Sequence, residues 1–273
     1  MPRLPVSAGA IRKLLREIAT SGSGEQVLAV GGAREFAPLL RQQLRRGGAA
    51  PAAVRLGKPQ GARVYVHVVS SVPDDADLAV LRCARRAAVP VIAVAVGLAD
   101  DPTIPYVPAT DVVWVRAGDA FPLEAIAQTI AARLGEQGGP LAARVPLLRE
   151  AVSEQLVASF ARKNGLVAAA SWIRRPDLPP LALNEFRLVL RLAQTHGVAG
   201  DALDRLPELA ATLGAGFGLR TLARGLRASV PRADWVLKAT IAYAGTRAVG
   251  EAARMRFALA PTQPQGEVGH AAP

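Results

Sequence analysis

Val27-Leu28-Ala29-Val30-Gly31-Gly32-Ala33-Arg34-Glu35-Phe36-Ala37-Pro38 is the stretch on which the fold reading turns. Its apolar opening reads as a strand, the two glycines as a turn, and residues 36–46 as a helix. A loop of this layout that holds nucleotide phosphates carries Gly-x-x-x-x-Gly-Lys-Ser/Thr. Its backbone amides and Lys face the phosphates, and its hydroxyl faces magnesium. Here no Lys and no hydroxyl follow the glycines, and the single Gly-Lys pair, Gly57-Lys58, runs into Pro59 in a loop. Gly31 and Gly32 could still present amides to an anion at the helix N-terminus, with Arg34 standing in for the Lys. An ordinary strand-to-helix turn with a solvated Arg explains the same residues and is the preferred reading.

Outward from this unit the pattern repeats. Val54–Leu56 reads as a short edge strand and Val64–Val69 as a β-branched strand. Asp74, Asp75 and Asp77 suit the start of a helix reaching about residue 88, where acidic groups offset the dipole. Val91–Val96 is near-continuously apolar, as in strands covered on both faces. Val112–Val115 is a further strand, and Pro122 at a helix N1 position opens a helix ending near Gly135. The alternation predicts an α/β domain: a mainly parallel, Rossmann-like or P-loop-like sheet with helices on both faces.

Gly135-Glu136-Gln137-Gly138-Gly139-Pro140 reads as a linker, and no strand pattern follows it. Residues 147–164 read as a helix stopped by Gly165 at its C′ position. Residues 183–196 read as a second, closed by Gly197, and Asp201 can cap a third. Residues 219–228 form a short fourth and 233–257 the longest. The expected organisation is an amphipathic lead-in over 1–22, an α/β domain over 23–135, a linker over 136–146, an all-α domain over 147–258 and a polar, disordered tail over 259–273.

The chain has 273 residues and a net charge of +11, yet Lys occurs only at 13, 58, 163 and 238, so the basic excess is nearly all Arg. A GC-rich genome explains that bias as readily as selection for binding. Charge of this sign attracts anionic lipid or nucleic acid without specificity for either. Aromatics make up 4% of the chain, too few in any basic patch to stack bases, so no specific nucleic-acid binding is expected. Cys83 is the one cysteine, which suits a reducing compartment. The N-terminal stretch lacks the apolar core of a signal peptide, and no segment has the ~18–20 apolar residues of a spanning helix. The expected location is cytoplasmic, with peripheral attachment to the inner membrane face open.

The helical half carries a family resemblance. Residues 179–197, from Pro179-Pro180-Leu181 through Asn184-Glu185-Phe186-Arg187 to Thr195-His196-Gly197, resemble the opening helix of domain-of-unknown-function family 697. Residues 229–251 resemble its closing helix, most specifically through Ala242-Tyr243-x-Gly245-Thr246-x-x-x-Gly250. The resemblance covers roughly residues 145–258. That family is often fused behind bacterial Era-like small GTPase domains and is described as membrane-associated. It implies a GTPase-like first half, where the motifs differ. After Val69, in place of Asp-x-x-Gly, stands Ser70-Ser71-Val72-Pro73. After Val96, in place of Asn-Lys-x-Asp, stands Gly97-Leu98-Ala99-Asp100, which keeps the final Asp alone. After Val115, Arg116-Ala117-Gly118 matches the last guanine-contacting loop poorly. A pseudo-GTPase is the implied reading, with Gly31, Gly32, Arg34 and Asp100 as the nucleotide-site remnant.

His67, His196 and His270 lack metal-ligand spacing; His196, in the last turn of a helix, suits the dipole as a cation. Cys83 reads as a small core residue and the Asp74–Asp77 cluster as a helix start. No catalytic arrangement, metal site or cofactor is expected. Ala242, Thr246 and Gly250 recur every four residues, as do Ala244, Ala248 and Ala252, and Gly214 and Gly218 form a Gly-x-x-x-Gly pair. Such spacing lets helices approach closely, within a soluble bundle or in a membrane, and offers a route to a homo-oligomer. Arg220, Arg224 and Arg227 share one helical face that would suit an anionic membrane surface or plain solvent. The expected function is a non-catalytic binding or scaffold protein, with a divergent GTP- or GDP-binding protein as the alternative.

Overall fold

The computed structural model describes residues 8–21, 24, 26–98, 103–170, 178–198 and 234–259. Five strands, β1 (Leu28–Gly32), β2 (Val54–Leu56), β3 (Val64–Val69), β4 (Val91–Val96) and β5 (Val112–Val115), pair in parallel in the order β2-β1-β3-β4-β5. This is the second of the two common doubly wound orders, distinct from the 3-2-1-4-5-6 of dinucleotide-binding sheets. Winding reverses between β1 and β3, whose register sets Leu28 against Val64 and Gly31 against His67.

Side chains alternate strictly although the strands read as unbroken apolar runs. Leu28, Val30, Val64, Val66, Val68, Ile92 and Val94 face one side, and Ala29, Tyr65, Ala93 and Ala95 face the other. Both sides are buried, so the polar half of the alternation is missing. The first side receives α2 (Ala37–Leu44) and α4 (Leu123–Leu134); the second receives α3 (Asp75–Arg86) and the segment around Ile104 and Val107. α3 starts on a reciprocal capping box: Asp74 accepts from the Asp77 amide at 2.8 Å, and the Asp77 carboxylate accepts from the Asp74 amide at 3.3 Å. Pro122 sits one residue earlier than expected, at the N-cap of α4, and Gly135 ends that helix at φ 54°.

Among the described residues the helical half holds α5 (Gly139–Arg144), α6 (Arg149–Ala170), α7 (Leu178–Thr195) and α8 (Asp234–Leu259). The apolar core runs unbroken from the sheet through α4 into this layer, joining Ile92 and Ile130 to Leu148, Leu156, Leu188 and Val249. α1 (Ala8–Ser21) joins it through buried Leu14 and Ile18, with Glu17 paired to Arg187 at 2.8 Å.

Two expectations change. The stretch read as a linker is built structure: a 3-10 turn at Gly135–Gln137 leads into α5, whose Gly139, Pro140, Leu141 and Ala142 are buried. Glycine and proline here serve close packing and a helix start rather than flexibility. Gly165 does not stop its helix, because α6 continues to Ala170. A Cβ built on Gly165 would lie 3.4 Å from the Ala239 carbonyl of α8, so this glycine admits a helix crossing. Gly197, by contrast, closes α7 as expected. Its φ is 76°, its amide bonds the Gln194 carbonyl, and the Val198 amide bonds that of Ala193, the two bonds of a Schellman motif.

Candidate binding cleft

The turn after β1 leaves little for a phosphate. Gly31 and Gly32 are the last two residues of the strand, not a loop. Gly32 has φ 95°, and a Cβ on it would stand 2.0 Å from the Val68 carbonyl oxygen. The Ala33 amide bonds that same carbonyl at 2.8 Å. The Phe36 and Ala37 amides both bond the Ala33 carbonyl, at 3.2 and 2.9 Å, and Pro38 has no amide. The Ala33, Phe36 and Ala37 amides are thus engaged within the chain. Arg34 is exposed in this turn.

A cleft of about 560 Å³ opens beside it, at the carboxyl ends of the central strands. Glu35 and Phe36 line one wall from the start of α2; Asp119 and Phe121 line the other from the β5–α4 connection. Ser70 and Gly97, just past β3 and β4, form the floor. The position follows from topology. α2 returns over β1 and the β5 connection lies three strands across, so the ends of the two strands between, β3 and β4, are left uncovered. The backbone turns sharply at Gly97 (φ 69°), where the chain leaves β4, and at Gly118 (φ 86°), in the β5–α4 connection.

On the opposite sheet face, at the β1–β3 reversal, lies a buried polar chain. The Tyr65 hydroxyl is 3.2 Å from His67 Nδ1, and His67 Nε2 is 3.0 Å from Asp77 Oδ1, a close contact that is off the line of a strong hydrogen bond. Tyr65 and His67 are buried and Asp77 is half-buried. Burial lowers the His67 pKa despite the opposing pull of Asp77 and Asp74, and burial, reinforced by Asp77, raises that of Tyr65. A Cβ on Gly31 would lie 2.3 Å from the Tyr65 hydroxyl oxygen, so the glycine makes room for it. The i, i+2 spacing of Tyr65 and His67 is a sequence signal for one strand face, but nothing in the sequence brings Asp77 to them.

In the helical half, Ala242, Thr246 and Gly250 lie on the buried face of α8. A Cβ on Gly250 would approach Val157 Cγ2 to 2.6 Å and Leu188 Cδ2 to 3.3 Å. The second stripe, Ala244, Ala248 and Ala252, is exposed. Thr246 is the centre of a buried polar set: its Oγ1 accepts from Asn164 Nδ2 at 2.8 Å and donates to Glu185 Oε1 at 3.3 Å, while Asn184 Nδ2 donates to Asn164 Oδ1 at 2.9 Å. These bonds tie α6, α7 and α8 together. His196 does not serve as the cation expected at the α7 terminus; burial, then Arg149 and Arg254, lower its pKa. Cys83 is half-buried on α3, with Gln60 Nε2 2.9 Å from its Sγ.

Asp100, Gly214, Gly218, Arg220, Arg224, Arg227 and His270 lie outside the described residues. Among the described residues no helix is long and apolar enough to cross a membrane.

No protein-family model, curated protein or solved structure matches the chain. Its functional reading rests on its own residues.

Proposed function

We propose that the chain is a non-catalytic binding or scaffold protein. A pseudo-GTPase-like α/β layer lacking nucleotide chemistry carries a helical layer that docks on a protein partner or, peripherally, on the anionic inner face of a membrane. The observation that carries this reading is the β1–α2 turn: the Ala33, Phe36 and Ala37 amides are engaged within the chain, and Gly32 is pressed onto Val68. The missing Lys, hydroxyl and Asp-x-x-Gly positions support it from the sequence. Exposed Trp235, Met255 and Leu259 on α8 and exposed Leu166 on α6 support the docking role, because they leave large apolar side chains at the surface of the helical layer for a partner to cover.

Calorimetric titration of the full chain with GTP and GDP in the presence of magnesium tests the first part. No heat of binding at millimolar ligand is expected, and saturable binding would move the chain to the divergent nucleotide-binding class. Co-sedimentation with anionic and with neutral vesicles tests the second part, and recovery in the supernatant with both removes the membrane.

A further inference from the structure

We propose that the cleft over the ends of β3 and β4 binds a small aromatic organic cation. Its volume, about 560 Å³, is in the range of small-molecule sites. Its location, outside the carboxyl ends of parallel strands, is where doubly wound sheets take ligands.

The chemistry comes from the walls. Each contributes one carboxylate and one ring: Glu35 with Phe36 on the α2 side, Asp119 with Phe121 on the other. Arg46 is the one cationic side chain among the lining residues, so the cleft is net acidic in a chain of net charge +11. Acidic residues also disfavour an anion at either neighbouring helix start. Glu35 precedes α2, and Glu124 occupies the first turn of α4, so each positive helix end already has its counter-charge. No ion pair among the described residues engages Glu35 or Asp119. A planar cation such as an amidinium or aminopyridinium can pair a carboxylate through two N–H groups, while its ring packs on phenylalanine. Gln42 and Gln43 on the α2 wall add amide donors and acceptors for orientation.

The inference rests on the reading of a sheet layer without phosphate chemistry, and its test is separate. Benzamidine and benzoate share a ring and differ in the sign of charge. Ligand-observed NMR on the full chain is expected to show benzamidine binding at about millimolar Kd, the range for so small a ligand, and benzoate binding at least tenfold weaker. The double variant Glu35→Gln/Asp119→Asn is expected to weaken benzamidine at least tenfold. Both residues are exposed, so the fold should survive with a small fall in thermal unfolding temperature from the lost counter-charge at α2. Equal binding of the two probes, no binding of either, or an unchanged Kd in the double variant overturns the proposal. A cleft that takes GTP but not benzamidine overturns the reading above as well; one that takes neither overturns this inference alone.

Discussion

His67 Nε2, buried in β3, lies 3.0 Å from the Asp77 carboxylate at the start of α3, so a strand and the helix that follows it are joined by a polar contact inside the sheet layer. Burial holds this imidazole neutral, below its ordinary 6.5. The unfolded chain therefore takes up a proton more readily than the folded one, and stability present above pH about 6.5 is lost as pH falls towards the depressed folded value. His196 adds in the same direction. Urea unfolding midpoints should fall between pH 7.5 and 5.5 at constant ionic strength. In His67→Gln the fall should be smaller, with His196 supplying the remainder. A steeper fall in that variant would contradict the account.

Gly32→Ala should be among the most damaging single changes. The residue has φ 95°, and the new methyl would stand 2.0 Å from a backbone oxygen that cannot rotate away. Strain and a broken β1–β3 end together predict a loss of roughly 3 kcal/mol or more. Differential scanning calorimetry measures it.

Two glycines five residues apart on α8 should respond with opposite signs. Gly245 faces open space, so Gly245→Ala gains about 0.5–1 kcal/mol from helix propensity. Gly250 meets Val157 at 2.6 Å, and overpacking there costs roughly 1–3 kcal/mol, more than the propensity gain. Val157→Ala in the Gly250→Ala background should restore part of the loss, because it removes the methyls in the way. Denaturant titration of the three variants decides the matter.

Thr246→Val keeps shape and removes the hydroxyl. Asn164 Nδ2 then loses an acceptor at 2.8 Å in a buried site, at a cost of about 1–3 kcal/mol. In a double-mutant cycle with Asn164→Leu the double variant should lose less than the sum of the two single losses, because removing both partners leaves less unsatisfied than removing one. Additive losses would show that the two side chains do not act as a pair.

Much of the sheet layer could be read from the chain because local signals agreed with the fold. Val64–Val69 and Val91–Val96 have the length and β-branching of buried strands, and Asp74 and Asp77 have the spacing of a cap. What escaped was decided by partners distant in sequence. Gly165 looks like a stop until the Ala239 carbonyl of α8 is known to stand 3.4 Å from where its Cβ would lie, and Gly139-Pro140 looks like a linker until α7 is known to cover it. The cleft was illegible for the same reason. Glu35 and Asp119 stand 84 positions apart, and only the strand order β2-β1-β3-β4-β5 brings the connections that bear them to either side of one floor.

The core that runs from Ile92 through Ile130 to Val249 has a bearing on how the molecule opens. A chain cut near residue 146 would leave two fragments, each with a greasy flank and Leu141, Val145 and Leu148 torn from their neighbours. Neither piece would hold its shape alone, so the halves should melt in one cooperative step. Slow amide exchange in β3, β4 and α6 should then fail at a single denaturant concentration, and the helical layer could not be traded between proteins as a detachable module.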